Sequence, residues 1–270
     1  MRKGMYCHCL IVVCALLLIS AAVVEATTIT SLPYTITTRG YYTINTNLTS
    51  TGHGIIVNTN HVTIDLKGYT IAGNGAGSYR GIYISGRTNV EIRNGTVRGF
   101  GGHGISEEYS SGRSHRVINM RVVANKGNGI SLEGYNHTVK DSTVSDNGNI
   151  GIKVDNGIVS GNTVCNNGTT GINAVLGSTV IGNTVSLNGQ DGIVASNGCA
   201  VIDNSAYGNG GNGMSVGFGS TLKNNSSYYN VNYGFYLGGH NLVDGNATYN
   251  NTTGSINACA TCTSGNNHVP

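Results

Sequence analysis

One stretch of this 270-residue chain gathers side chains that could do chemistry together. Between Arg80 and Lys126 lie Arg93, Arg98, Glu107, Glu108, Tyr109, Arg113, His115 and Arg121. A carboxylate and an imidazole eight residues apart could act as acid and base, which makes Glu107 and His115 the catalytic candidates. Arg93, Arg98, Arg113 and Arg121 offer fixed positive charge to an acidic sugar. Glu108 could accept sugar hydroxyls, and Tyr109 could stack on a ring. These six are the candidate substrate-binding residues, carried by a loop across one face of the molecule. The plainer reading of the same residues is a solvated loop with local ion pairs.

Metal and cofactor chemistry find little support. Only Met120 and Met214 lie beyond the first residues, so no thioether cluster exists for copper. Cys259-Ala-Thr-Cys262 with His268 could ligate a soft metal, but in an oxidising compartment a small disulfide or a pair of free thiols is the simpler expectation. No metal site and no cofactor are expected. Cys165 and Cys199 are not a whole number of repeats apart and are not expected to pair.

Everything else in the chain is scaffold. Gly-Ile-type dipeptides recur at Gly54, Gly81, Gly104, Gly129, Gly151, Gly171 and Gly192, then as Gly213-Met214 and Gly234-Phe235. After each glycine the residues alternate apolar, polar, apolar, the signature of a strand with one buried face. In the coil opened by Gly104 the second inward position is Glu107, where the other coils carry an apolar residue. A lone buried carboxylate is costly, so the strand is expected to bulge outward or Glu107 to have a cationic partner.

A second short strand follows in each repeat (Val62, Val90, Val180, Val201), and a third sits around Val122, Val144, Val164 and Val185. Asn-Gly pairs at 147, 167, 188 and 209 should supply left-handed turns. A coil of this kind exposes both strand edges and is stable only when stacked on its neighbours. Asn162, Asn183, Asn204, Asn225 and Asn246 recur at one period, as do Asn167, Asn188, Asn209 and Asn230, and can form amide ladders. Tyr207, Tyr228 and Tyr249 should stack likewise. The Thr143, Thr163, Thr184 row lacks the Thr-x-Thr pattern of an ice-binding face.

The expected fold is all-β: a single-stranded right-handed parallel β-helix of about ten coils of 20–27 residues, roughly 48 Å long at a strand spacing near 4.8 Å. A hexapeptide rule for the left-handed form is missing, and right-handed crossovers are preferred. Residues 1–26 read as a secretory signal peptide, with Arg2 and Lys3, the apolar run Leu10 to Ile19 and a small-residue cleavage site. Residues 27–50 are expected to form N-terminal cap strands, 51–257 the β-helix and 258–270 a C-terminal cap. With the leader removed, 13 basic and 11 acidic residues remain. That near balance argues against a nucleic-acid partner. No membrane segment is expected after cleavage, and the location should be extracellular or periplasmic.

Ser31-Leu-Pro-Tyr-Thr-Ile, Val62-Thr-Ile-Asp-Leu-Lys-Gly-Tyr-Thr-Ile71, Arg93-Asn-Gly-Thr-Val97 and the repeated Asn-Thr-Val and Gly-Ile coils resemble secreted right-handed parallel β-helix repeat proteins. The resemblance covers essentially the whole chain after the leader. It implies the fold of pectate lyases, polygalacturonases and alginate epimerases, and with it extracellular polysaccharide as a partner. The residues those activities need are largely missing. There is no Trp, no Asp-Asp, no Asn-Thr-Asp and no Asp-Pro-His. Gly-His-Gly occurs at 52–54 and 102–104, both on the repeat anchor, where repeat grammar explains it. The expected function is non-catalytic binding of extracellular or cell-wall polysaccharide. The alternatives are a lyase or epimerase on uronic-acid polymers, or a purely structural envelope protein.

Overall fold

A computed structural model describes residues 25–257 and 259–269. The signal peptide expected at 1–26 lies almost wholly outside the described residues, as do Ala258 and Pro270 of the C-terminal segment. Among the described residues there is no helix, and none is long and apolar enough to cross a membrane. The chain winds as a right-handed parallel solenoid with three strands per coil.

On the first face 11 strands stack in parallel, from Tyr34–Ile36 to Gly254–Ile256. Their register sets the repeated Ile55, Ile82, Ile105, Ile130, Ile152, Ile172 and Ile193 side by side, followed by Met214 and Phe235. The second and third faces join into one system because Val90–Arg98 and Arg116–Val123 run through the corner between them. The core is a set of parallel apolar columns. On the third face it reads Val122, Val144, Val164, Val185, Ala206 and then Ser227, all fully buried. Ser227 satisfies its hydroxyl by donating to the Gly234 carbonyl at 2.8 Å.

The glycines serve close stacking more than turning. A Cβ on Gly129, Gly151 or Gly171 would overlap the third-face valine of the coil it opens. The Asn-Gly pairs differ from the sequence expectation in the same way. Their glycines do not adopt positive φ; a Cβ on Gly148, Gly168 or Gly189 would instead strike the carbonyl of the preceding coil. The left-handed residue is the one before each asparagine: Asp146 (φ 57°), Asn166 (55°), Leu187 (56°), Gly208 (62°) and Tyr229 (57°). Turning the backbone there aims the asparagine inward.

The asparagines then form two buried ladders. In one, Nδ2 of Asn125, Asn147, Asn167, Asn188 and Asn209 each donates 3.0 Å to Oδ1 of its counterpart one coil on. Asn162, Asn183, Asn204, Asn225 and Asn246 form the second in the same manner. Each carbonyl also accepts a backbone N–H from the coil before, as Asn188 does from Asn167 at 3.1 Å. A buried amide is costly unless all its groups are paired, and repetition at one coil spacing pairs them.

Residues 27–50, expected as a cap, themselves continue the solenoid. Tyr34–Ile36, Gly40–Thr43 and Leu48–Ser50 pair in parallel with the next coil on the three faces. At the other end Cys259 and Cys262 form a disulfide and pack on the core, while Cys165 and Cys199 are free.

Candidate functional site

Glu107 does point inward, in register with Ile84 and Leu132, and the strand Ile105–Glu107 does not bulge. The side chain is fully buried. Its carboxylate is held by backbone amides from two coils: Gly86 (3.0 Å) and Tyr109 (2.8 Å) donate to Oε1, and Arg87 (3.1 Å) donates to Oε2. Three N–H donors from two coils thus converge on one buried carboxylate. The nearest basic group is a histidine: Nε2 of the fully buried His115 lies 3.4 Å from Oε2 but makes no hydrogen bond.

His115 belongs to a corner column in which each side chain accepts an N–H from the preceding coil. Val90 donates to Nδ1 of His115, and His115 donates to Nδ1 of His137, both at 3.3 Å. With Nδ1 accepting, the neutral imidazole carries its proton on Nε2. In His115 that proton faces Glu107; in His137 it faces the Glu133 carbonyl at 3.0 Å. The two rings stack at 5.0 Å. Burial first, then the neighbouring His115, lowers the His137 pKa to about 4. Both side chains lie in the interior beneath the first face, and Glu107 ties the Gly86–Arg87 and Tyr109 loops together.

The accessible groups assemble on the outer side of the first face. His53, Arg80, His103 and Asn128 each precede an anchor glycine and therefore occupy one column, one coil apart. Arg80 pairs with Glu108, its Nε on Oε1 and its Nη2 2.6 Å from Oε2. Ser106 donates to Glu108 at 3.1 Å, and His103 Nε2 lies 4.0 Å away. The Arg80 guanidinium sits 4.9 Å over the Tyr83 ring, and His53 stacks on Tyr83 at 5.8 Å. Burial alone would raise the Glu108 pKa, but Arg80 and Ser106 hold it below its ordinary value. Burial lowers both His53 and His103, with Arg80 adding to it and Glu108 opposing. Their Nδ1 atoms accept from Arg80 N–H (3.2 Å) and Asn128 N–H (2.8 Å), leaving Nε2–H directed outward.

Tyr109 stands half exposed beside this cluster. Burial, then a hydrogen bond with Tyr109, raises the Tyr83 pKa. Next along the face, Lys153 bonds Glu133 at 3.0 Å and lies 3.9 Å from Asp155. A shallow groove of about 220 Å³ borders that end, lined by Ser110, Tyr135, Asp155 and Leu176. The surface alternates cation, anion and aromatic ring, an arrangement able to exchange hydrogen bonds with a polyhydroxylated chain while a ring stacks.

The candidate residues do not form one site. Glu108 and Tyr109 share the first face. Arg113 lies at its edge, over the Tyr135 ring at 5.5 Å. Arg93 is on the second face, engaged by Asp65 (3.0 Å) and Glu91 (2.8 Å). Arg98 and Arg121 project from the third face. Residues 91–121 span more than one coil, and one coil visits all three faces. The arginines expected on one face are thereby dispersed. Arg80 and Tyr83 are functional candidates that no sequence motif marks, while His53 and His103 belong to the two Gly-His-Gly segments that repeat grammar assigns to the anchor. Their shared place immediately before or two residues after the anchor glycine is the signal that could have found them. Among the described residues, no group of three or more His, Cys, Asp or Glu could hold a metal ion.

The family model for "Right handed beta helix region" matches residues 35–185. No curated protein matches the sequence. Among solved structures, the Dettilon tailspike protein aligns with TM-score 0.61 at 14% identity, covering 84% of this chain and 55% of its own. The A-module of a mannuronan C-5 epimerase of Azotobacter vinelandii aligns with TM-score 0.56 at 15% identity, covering 85% of this chain and 86% of its own. A pectate lyase aligns with TM-score 0.57 at 16% identity, covering 86% of this chain and 72% of its own. The chain thus spans about half the length of the tailspike. At these identities the likeness is one of fold.

Proposed function

The chain belongs to the right-handed β-helix family, and from that premise we propose that it is a non-catalytic binder of extracellular or cell-wall polysaccharide. The binding surface is the first face around Arg80, Glu108, Tyr83 and Tyr109. The observation that carries this is the convergence of His53, Arg80, His103 and Glu108 from successive coils onto one open surface with two tyrosines. A rigid stack presenting such groups at one coil spacing suits an extended repeating ligand. Two of the structures of similar fold are named for action on such polymers, a mannuronan epimerase and a pectate lyase. A non-catalytic role is supported by Glu108 itself. Its carboxylate is neutralised by Arg80 and held in its ionised form, which suits hydrogen bonding better than proton transfer. The Cys259–Cys262 disulfide accords with a location outside the cytoplasm.

Calorimetric titration of the protein with alginate, pectate and neutral oligosaccharides tests this reading. Arg80→Ala and Glu108→Gln should each weaken binding at least about tenfold, as expected for loss of a charge-assisted contact. Wild-type protein that binds no glycan, or variants that bind unchanged, would exclude the first face. Unsaturated uronide absorbance during the titration would replace the binder with a lyase.

A further inference from the structure

The third face differs in kind from the first. From Thr143–Ser145 to Ala247–Tyr249 its six strands carry no charged residue. One outward column reads Thr143, Thr163, Thr184, Ser205 and Ser226, in parallel register. The other ends in Tyr207, Tyr228 and Tyr249. Tyr229, at the adjoining corner, stands edge-on between them: its ring lies 5.8 Å from Tyr207 at an interplanar angle of 79° and 5.9 Å from Tyr249 at 89°. Tyr207, Tyr229 and Tyr249 are 41%, 52% and 51% exposed. A shallow groove of about 160 Å³ opens beside them, lined by Ser226, Tyr228, Ala247, Thr248, Tyr249 and His268.

Stability alone does not account for Tyr229. Its backbone is left-handed (φ 57°), a conformation unfavourable for tyrosine, and one coil earlier the same corner is filled by Gly208. The left-handed corner recurs from coil to coil, Leu187 included, and belongs to the fold; what sets Tyr229 apart is a half-exposed ring between two other exposed rings. The occupant follows from the chemistry of the face. A charged ligand would find no counter-charge on these strands. An apolar protein surface would bury the hydroxyl rows unpaired, which is unfavourable. A neutral carbohydrate offers apolar ring faces to the tyrosines and hydroxyls to the Thr and Ser rows.

We propose that the third face is a second carbohydrate-binding surface, for a neutral polysaccharide whose sugar rings pack against the clustered Tyr207, Tyr229 and Tyr249. It extends the polysaccharide reading given above but uses a different face and a different class of sugar. The two can therefore fail separately.

Sedimentation of the full chain with microcrystalline cellulose, chitin and insoluble β-1,3-glucan tests it. The protein should sediment with at least one of them, equally at low salt and in molar salt, and Arg80→Ala should not alter this. The variant combining Tyr207→Ala, Tyr229→Gly and Tyr249→Ala should lower the bound fraction at least about tenfold, as expected for loss of clustered aromatic anchors. The single variant Tyr229→Gly should weaken binding while leaving the melting temperature unchanged or higher, an outcome a merely structural ladder would not give. Three results overturn the proposal. They are no sedimentation with any of the polymers, unchanged binding by the triple variant, and a wild-type dimer that the triple variant abolishes. Loss of alginate or pectate binding in Arg80→Ala with neutral binding intact concerns the first face alone.

Discussion

The coils between Arg80 and Lys126 and those from Thr143 onward use the same backbone but satisfy buried polar groups in opposite ways. In the later coils two corners of each turn hold an inward asparagine, and the strand interiors are apolar or small. In the earlier coils those corners hold Phe100 and Met120, both buried, until Asn125 opens the first ladder, and a further polar group sits inside a strand as Glu107. An asparagine in a ladder finds identical partners above and below. Glu107 has no counterpart in neighbouring coils and is satisfied once, by three amides from two loops. Those loops carry Glu108 and Tyr109 on the first face. Repetition therefore builds scaffold, and the single departure from it fixes the edge of the candidate site.

Restoring the repeat at the departure tests that contrast most severely. Glu107→Leu returns an apolar residue to the column between Ile84 and Leu132. If the column alone mattered, the change would be neutral or stabilising. It also strips the amides of Gly86, Arg87 and Tyr109 of their acceptor and leaves His115 Nε2–H facing a methyl group. We expect a loss of about 3–5 kcal/mol, the range for removing one partner from a buried charged network. Urea unfolding followed by circular dichroism measures it, and an unchanged midpoint would contradict the anchoring role.

The stacked histidines give the same region a pH dependence that the ladders lack. His137 titrates at about 4 in the folded protein, below its ordinary value of 6.5, because burial and then His115 disfavour its charge. As pH falls the unfolded chain takes up this proton first. The stability from His137 is complete above pH 6.5 and drains away towards pH 4. The loss approaches about 3 kcal/mol at the lower end. Asn241 fills the same corner column later in the chain, accepting the Ser220 N–H at 2.8 Å. His137→Asn should accordingly keep an acceptor for His115 N–H and flatten stability between pH 6.5 and 4 in denaturant titrations. An equally steep slope in the variant would assign the pH dependence to another group.

What was legible in the sequence follows from this contrast. A feature that recurs each coil, such as Gly151, Asn188 or Val164, reveals its place by its period. The three faces, the register and both ladders are therefore legible from residue types and spacing alone. The odd glutamate at Glu107 was also legible as a break, but not its solution. The Gly86, Arg87 and Tyr109 amides leave no mark in residue type, and His115 lies eight residues on, around a corner. The grouping of Arg93, Arg98, Arg113 and Arg121 misled because nearness along the chain is not nearness in space. In a solenoid, neighbours across a face are one coil apart, as His53, Arg80 and His103 are.

The ladder residues should respond more mildly than Glu107, and in a graded way. Asn188→Ala removes the acceptor for Asn167 N–H and Nδ2, and the donor to Asn209 Oδ1 at 3.0 Å. We expect about 2–3 kcal/mol, in the range for leaving buried amide groups unpaired. Asn251 accepts from Asn230 at 2.9 Å but passes nothing to a further asparagine, donating to Ser227 O and Thr248 Oγ1 instead. Asn251→Ala should cost about half as much, since Asn251 is only partly buried and water can reach the groups that lose a partner. Equal losses at the two sites would mean that ladder position is irrelevant.

The smallest effect asks whether the two regions share their backbone corner in spite of these differences. Leu187 and Ala124 occupy equivalent left-handed positions, at φ 56° and 55°, one in the regular coils and one in the charged region. Asn166 and Asn250 hold the same corner in other coils with the residue type that tolerates it. An ordinary L-residue in that conformation costs roughly 1 kcal/mol, which asparagine partly avoids. Leu187→Asn should therefore raise stability by about 0.5–1 kcal/mol, a rise in melting temperature of roughly 1–4 °C for a domain of this size. Ala124→Asn should do the same if its corner is as rigidly set. Because each precedes a ladder asparagine, a gain at Leu187 but not at Ala124 would mean that the left-handed corner is looser where the charged loops begin.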